Sequence, residues 1–332
     1  MTPPTSHRLL VPVLVSFGLI VAACGSGSDS ETAATDPPVA TTVAPATTAA
    51  PTTVAPTTVA PATTAAPETT TTTIATPEPI PAEPPEGMEL VWSDEFDGDE
   101  IDLTNWTYDI GGWGWGNGEA QYYTDRPENA RTQNGLLVIE LRQEQFEERY
   151  YTSARLRTQG LREFQYGRIE GRLKVPAGAG TWPAFWMLGS GFQQDAPETE
   201  NQWPFVGEID IMEYVGREPD LVIGTVHGPG YAGAGGRSQW FRQEFDIADD
   251  WHTYAVDWDE EGIRWYFDDQ MYYELQPEDI GDLEWVFDKP FFIIVNLAFG
   301  GTLGGLPALD LEFPIQYYVD YIRVYQPVDD GE

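Results

Sequence analysis

The run Arg168-Ile169-Glu170-Gly171-Arg172-Leu173-Lys174-Val175 sets an apolar residue or a glycine at every second position, with a charged residue between. A period of two belongs to a pleated strand with one face in water and the other in a core, not to a helix. On both sides of this stretch the chain repeats the theme. Leu136 to Leu141, Tyr254 to Trp258, Ile263 to Phe267, Phe291 to Leu297 and Val319 to Tyr325 are apolar on both alternating faces and read as strands buried more deeply. All are short and rich in Val, Ile, Tyr, Phe and Trp, with clusters of Gly, Pro, Asn and Asp between them. No long stretch keeps a 3.6-residue period, so the expected class is all-β.

The chain has 332 residues, yet all 12 Trp, all 16 Tyr and every Phe except Phe17 lie beyond residue 86. A core can therefore form only in the last part of the chain, and residues 87–327 are expected to fold as one two-sheet β-sandwich of jelly-roll type. Seventeen Lys and Arg against 54 Asp and Glu give a formal charge of −37, which repels nucleic acid and other polyanions. One cysteine, Cys24, excludes an intrachain disulfide and a cysteine-based zinc site. Three histidines, His7, His227 and His252, leave little for a multi-histidine metal centre.

The N-terminus reads as a targeting segment. His7 and Arg8 precede an apolar run from Leu9 to Ala23, too short to span about 30 Å of hydrocarbon comfortably and interrupted by Pro12. Val21-Ala22-Ala23-Cys24 is similar to a bacterial lipobox, so residues 1–24 are expected to be a lipoprotein-type signal with Cys24 lipidated; an ordinary cleaved signal is the other reading. Residues 25–86 contain no Phe, Trp, Tyr, Lys or Arg, and Thr-Thr-Val-Ala-Pro recurs at 41–45, 52–56 and 57–61. Such a segment has nothing to fill a core and is expected to be a disordered linker, with prolines favouring an extended form. Residues 328–332 are a tail. The expected location is the outer face of the cell membrane through the lipid anchor, or secretion.

The chemistry is expected from Gly207-Glu208-Ile209-Asp210-Ile211-Met212-Glu213. On a regular strand Glu208 and Asp210 share one face, whereas Glu213, five residues from Glu208, would point into the core at a high cost for an unpaired carboxylate. One extra residue, a β-bulge at Ile211-Met212, returns Glu213 to the face of the other two and buries Met212. Three acids in a row disfavour joint ionisation, so at least one keeps its proton to higher pH. One ionised and one protonated carboxyl flanking a bond is what glycoside hydrolysis needs. A solvated acidic strand is the competing reading.

At these residues the sequence resembles glycoside hydrolase family 16, and within it the bacterial laminarinase-like endo-β-1,3-glucanases. The family's Glu-x-Asp-x-x-Glu motif matches at Glu208, Asp210 and Glu213. Further matches are Gly112-Trp113-Gly114-Trp115-Gly116-Asn117, Tyr151-Thr152-Ser153-Ala154-Arg155, Trp182-Pro183-Ala184-Phe185-Trp186-Met187-Leu188, His227-Gly228-Pro229-Gly230 and Val319-Asp320-Tyr321-Ile322-Arg323-Val324-Tyr325. The resemblance implies a concanavalin A-like sandwich with a concave cleft and retaining hydrolysis. Glu208 would be the nucleophile, Glu213 the acid and base, and Asp210 the residue that tunes both. It also implies a neutral β-glucan partner met by Trp113, Trp115, Trp182, Trp186 and Trp203 through stacking, and by Asn117, Glu119, Arg155 and His227 through polar contacts. His252 lies outside these matches and reads as structural. No cofactor is expected for catalysis. A structural calcium would be held by Glu95 and Gly135 through backbone oxygens and by the Asp320 side chain, and the enzyme would be a monomer. Gly300-Gly301-Thr302-Leu303-Gly304-Gly305 departs from the Trp-containing loop common in relatives, which puts one distal subsite in doubt. Two alternatives remain open: a mixed-linkage β-1,3-1,4-glucanase of the same family, and a glucan-binding sandwich without catalysis, which would not need both Glu208 and Glu213.

Overall fold

The computed structural model describes residues 76–194 and 200–328, and these belong to one compact unit. The signal segment with Cys24, residues 25–75 of the linker and residues 329–332 of the tail lie outside the described residues. Two sheets make up the domain. The first has ten strands and runs, neighbour to neighbour, Gln270–Leu275, Ile263–Phe267, His252–Trp258, Gly167–Lys174, Ile315–Pro327, Leu137–Phe146, Arg149–Ser153 and Tyr122–Tyr123. Met88–Asp94 pairs on Ile315–Pro327 and Ala130–Thr132 on Leu137–Phe146. The second has eight strands and runs Arg237–Arg242, Leu221–His227, Glu208–Tyr214, Thr181–Gly189, Phe291–Phe299, Arg155–Arg157 and Thr107–Tyr108, with Glu163–Phe164 paired on Phe291–Phe299. All pairings are antiparallel except that of Tyr122–Tyr123 with Arg149–Ser153. Among the described residues helix is confined to Gly301–Gly304 and three short 3₁₀ turns, and none is long and apolar enough to cross a membrane.

The alternating run that pointed to a strand occupies Gly167–Lys174, with Ile169 and Leu173 fully buried and Glu170, Arg172 and Lys174 partly exposed. Gly171 is the third inward position. A Cβ there would stand 3.0 Å from the Phe185 ring, so the glycine lets the two sheets close on that ring. Ile169, Leu173, Val256, Ile322 and Val324 of the first sheet meet Phe185, Met187, Ile209, Ile211, Met212 and Val295 of the second in one core. Truncating any one of these to Ala would cost about 2–5 kcal/mol.

Phe291–Phe299 is buried at every position. Its Ile293, Val295, Leu297 and Phe299 face the core, while Phe292 and Ile294 pack with Leu188 and Val206, and Ala298 packs with Trp182 and Val215, on the opposite face. That opposite face is therefore a second apolar floor rather than a wet surface. The end of the expected linker is tied down: Arg172 donates to the Glu78 carbonyl and Arg323 to the Ile80 carbonyl, each at 2.8 Å. Both arginines alternate with core residues on their strands, so this segment lies on the outer face of the ten-stranded sheet.

Candidate active site

The strand Glu208–Tyr214 carries its three acids on one face. Trp186 pairs with Asp210 and Phe185 with Met212 across one edge; Asp210 pairs with Thr225 and Glu213 with Ile223 across the other. Ile211 and Met212 thus stand against a single residue, Gly224, which is the expected bulge. Ile209, Ile211, Met212 and Tyr214 are all fully buried, whereas Glu208 and Glu213 are partly exposed on the other side. The bulge is held from the core, where the Trp265 indole N–H donates to the Asp210 carbonyl at 2.9 Å. A Cβ on Gly224 would meet Trp265 Cδ1 and the Tyr272 hydroxyl at 2.6 Å each, so the position facing the bulge has no room for a side chain.

Among the described residues no lysine or arginine forms an ion pair with these acids; His227 Nε2 lies 3.4 Å from Asp210 Oδ2 and 3.6 Å from Glu208 Oε1, and the Arg155 charge reaches Glu208 from farther off. Burial drives the pKa of all three acids up to about 8. The Asp210 charge adds to the rise at Glu208 and Glu213 and His227 opposes it, while at Asp210 a hydrogen bond with Glu208 opposes it. The trio accordingly gives up its protons in coupled steps and holds them to higher pH than free carboxylates do. The Trp182 indole N–H donates to Glu213 Oε1 at 3.1 Å, which fixes that carboxyl against the floor.

The other expected residues gather around this row with altered parts. Trp186 donates to Asn296 Oδ1 at 2.7 Å, and the Arg155 guanidinium lies 4.6 Å over its ring and 4.9 Å over that of Trp115. Trp113 and Trp115 pack with ring centroids 3.9 Å apart and planes tilted by 39°, Trp113 being exposed, and Trp203 is exposed beside His227 at 5.9 Å. Two expectations need correction. Glu119 is 3% exposed, with Asn117 donating to Oε1 at 3.2 Å and Gln121 to Oε2 at 2.6 Å, so it braces Asn117 instead of meeting a sugar hydroxyl. Trp182 is 8% exposed among Val215, Ala298 and Leu303, so its contribution is the N–H toward Glu213 more than an open stacking face. His252 is structural, as expected: it pairs with Asp268 at 2.7 Å and stacks on Phe267. The glycine-rich loop docks on the site, with Thr302 N–H donating to the Asn117 carbonyl at 2.8 Å.

Several residues of the site were not singled out from the sequence. Asp109, 6% exposed, pairs with Arg155 at 2.9 Å and Arg157 at 3.1 Å and so sets the Arg155 guanidinium over the two indoles. Asn296 links Trp186 to the Tyr123 hydroxyl, to which it donates at 3.1 Å. A lone amide in the apolar run Phe291 to Phe299 was the available signal for it. Thr225, opposite Asp210, hydrogen-bonds Glu213. A cavity of about 830 Å³ lined by Ile101, Trp106, Tyr108, Asp125 and Arg131 holds none of the three acids, so chemistry rather than volume marks the site.

The residues expected for calcium lie apart from this row. Asp320 Oδ2 accepts from Arg172 at 3.1 Å, and the Glu95 carboxylate is engaged by Arg323 at 2.9 and 2.8 Å. Calcium takes about six to eight oxygen ligands. One carboxylate shared with a guanidinium, plus carbonyls, fits only a weak structural site with no part in the chemistry.

Comparison with known proteins agrees with this geometry. The model of the family described as "Glycosyl hydrolases family 16" matches residues 117–323. A protein named "Beta-glucanase" from Rhodothermus marinus is 48% identical over 254 residues, 73% of this chain and 86% of its own length. The laminarinase catalytic domain from Thermotoga maritima superposes with a TM-score of 0.68 at 45% identity, covering 73% of this chain and 99% of that one. The laminarinase from Rhodothermus marinus gives 0.67 at 48% identity over 73% and 98%. With a family match over residues 117–323 and a relative 48% identical over 73% of the chain, the chain belongs to glycoside hydrolase family 16.

Proposed function

We propose that this protein is a retaining endo-β-1,3-glucanase that cuts laminarin-type glucan by double displacement. One observation carries the reading: the bulged strand sets Glu208, Asp210 and Glu213 on one face without a lysine or arginine partner among the described residues. Relatives named as laminarinases support the substrate class.

Glu208 attacks the anomeric carbon while the bond to the leaving oxygen breaks, its electron pair going to that oxygen. Glu213, kept protonated by burial, gives the leaving oxygen its proton. In the second half Glu213 takes a proton from water, the water oxygen attacks the anomeric carbon, and the ester pair returns to the Glu208 carboxylate. Asp210, hydrogen-bonded to Glu208, shifts proton affinity between the two glutamates. The indoles of Trp113, Trp186 and Trp203 and the groups of Asn117, Arg155 and His227 receive the neutral sugar chain; an acidic face repels sulfated ones. The test is a product profile on laminarin, lichenan and agarose beside Glu208→Gln. Equal activity of the two proteins overturns the mechanism, and preference for lichenan makes it a mixed-linkage enzyme.

For the N-terminal part the reading is a lipoprotein signal with lipidated Cys24 and a linker over residues 25–86, giving a monomer held at the outer membrane face. Cys24→Ala should then release the protein, and an unchanged membrane fraction would sink that part. A calcium at Glu95, Gly135 and Asp320 would serve stability alone.

A further inference from the structure

Three tryptophans are exposed among the described residues: Trp113 at 53%, Trp203 at 41% and Trp240 at 55%. Trp203 lies beside His227, and Trp113 packs on Trp115 near Arg155. Trp240 lies on Arg237–Arg242, the edge strand of the eight-stranded sheet. Its register is informative. Arg155 pairs with Asn296, Asn296 with Ala184, Ala184 with Glu213, Glu213 with Ile223, and Ile223 with Trp240. Directly paired residues point to the same face of a sheet, so one row crosses the site from Arg155 through Glu213 to Trp240. A side-chain bond fixes the face independently. Thr225, which pairs with Asp210, donates from its hydroxyl to Ser238 Oγ at 3.0 Å, and Ser238 is two residues from Trp240. Phe241, the next residue, points the other way and stacks on Tyr272 with centroids 4.8 Å apart.

With strands about 4.8 Å apart, Trp240 stands about 10 Å from Glu213 and about 24 Å from Arg155 along the row. Trp240 pairs with Ile223, itself 2% exposed, and is 55% open to solvent. Trp113 and Trp115 stand at the other end, where Arg155 lies over the Trp115 ring. The scissile bond, held at Glu208 and Glu213, falls between the two aromatic ends.

We propose that Trp240 is the stacking platform of a distal subsite for the arm of the glucan chain on the far side of the scissile bond from Trp113. This rests on the glucanase reading. A neutral polysaccharide is the occupant favoured by continuity with the acid row, because an elongated chain lying across the strands passes over Trp240 after leaving Glu213. Indole faces suit the C–H faces of sugar rings and need no charge. The nearby Arg242 is already paired with Glu218 at 2.8 Å and Asp220 at 2.6 Å, which leaves the ring as the main contact on this edge.

The test compares wild type, Trp240→Ala and Trp240→Tyr on laminarin and on β-1,3-gluco-oligosaccharides of graded length, with melting temperature as the folding control. Trp240→Ala should raise KM and lower kcat/KM about tenfold on laminarin and long oligosaccharides. On the shortest oligosaccharide cleaved, which cannot reach residue 240, the change should stay within about twofold, and Trp240→Tyr should restore most of the loss. An unchanged length profile overturns the proposal, as does an equal loss at every length. If wild type fails to cut laminarin at all, the glucanase reading falls and this subsite with it, an outcome distinct from either result for the variants.

Discussion

Glu140 of the ten-stranded sheet and Asp210 of the eight-stranded one are buried alike, 3% and 4% exposed. Their surroundings are opposite. Glu140 is met by Arg131 at 2.8 Å, by Arg142, and by the Gln316 amide at 2.8 Å. Asp210 is met by two other carboxylates and one histidine. Burial alone therefore does not make an acid reactive. The first arrangement turns a buried charge into a structural fixture; the second leaves proton affinity raised and the charge available to a substrate.

The comparison breaks most readily at its reactive side. Glu208→Gln should lower kcat on laminarin at least about 10³-fold while the fold is kept, since amide and carboxyl have nearly the same shape. Glu213→Gln should be nearly as severe on laminarin and much milder on a glucoside whose leaving group needs no proton. Glu140→Gln should give the mirror image, with kcat within about twofold and stability lowered by about 1–3 kcal/mol, a figure held down because Arg131 and Arg142 are partly exposed. That is a fall of several degrees in melting temperature at about 2–4 °C per kcal/mol. An inactive Glu140→Gln protein with an unchanged melting curve would erase the distinction.

The pH dependence sharpens it further. Glu208, Asp210 and Glu213 have folded-state values of about 8, above the 4.5 and 3.8 of the free side chains. The folded protein thus binds these protons more tightly than the unfolded chain, and the stability linked to them is complete below about pH 4 and lost as pH rises through about 8. Glu208→Gln removes one member of the trio, so its melting temperature should gain on wild type between about pH 5 and pH 9. A constant difference across that range would contradict the raised values. The smallest effect expected is that of chelation: with Asp320 already shared with Arg172, EDTA should lower the melting temperature by no more than a few degrees.

Much of the outline was legible because it depended on local periodicity. Ile263 to Phe267 is a strand with the expected ends, and the bulge at Ile211-Met212 followed from the cost of burying Glu213. What a side chain meets across the sheet was not legible. Glu119 looked like a sugar contact because it is polar and lies in a loop, yet Gln121 and Asn117 occupy both its oxygens. Trp182 looked like a platform, but Val215, Ala298 and Leu303 come from three separate segments to cover it. Asp109 and Arg155 are 46 positions apart, and no spacing rule links an acid to the guanidinium it aims. Trp240 is similar: its alignment with Glu213 exists only in the register of three strands.

The bulge also says which change of length the alternation of the catalytic strand can absorb. Ile211-Met212 against Gly224 is a phase shift in the alternation of the strand. Deleting either residue would change the composition by one apolar side chain and remove no acid. It would also remove the bulge, and Glu208, Asp210 and the shifted Glu213 would then stand two residues apart on one face of a regular strand, with Tyr214 still on the core side. The spacing between Glu208 and Glu213 is therefore tied to the bulge: five positions with it, or four without it, set both glutamates on one face.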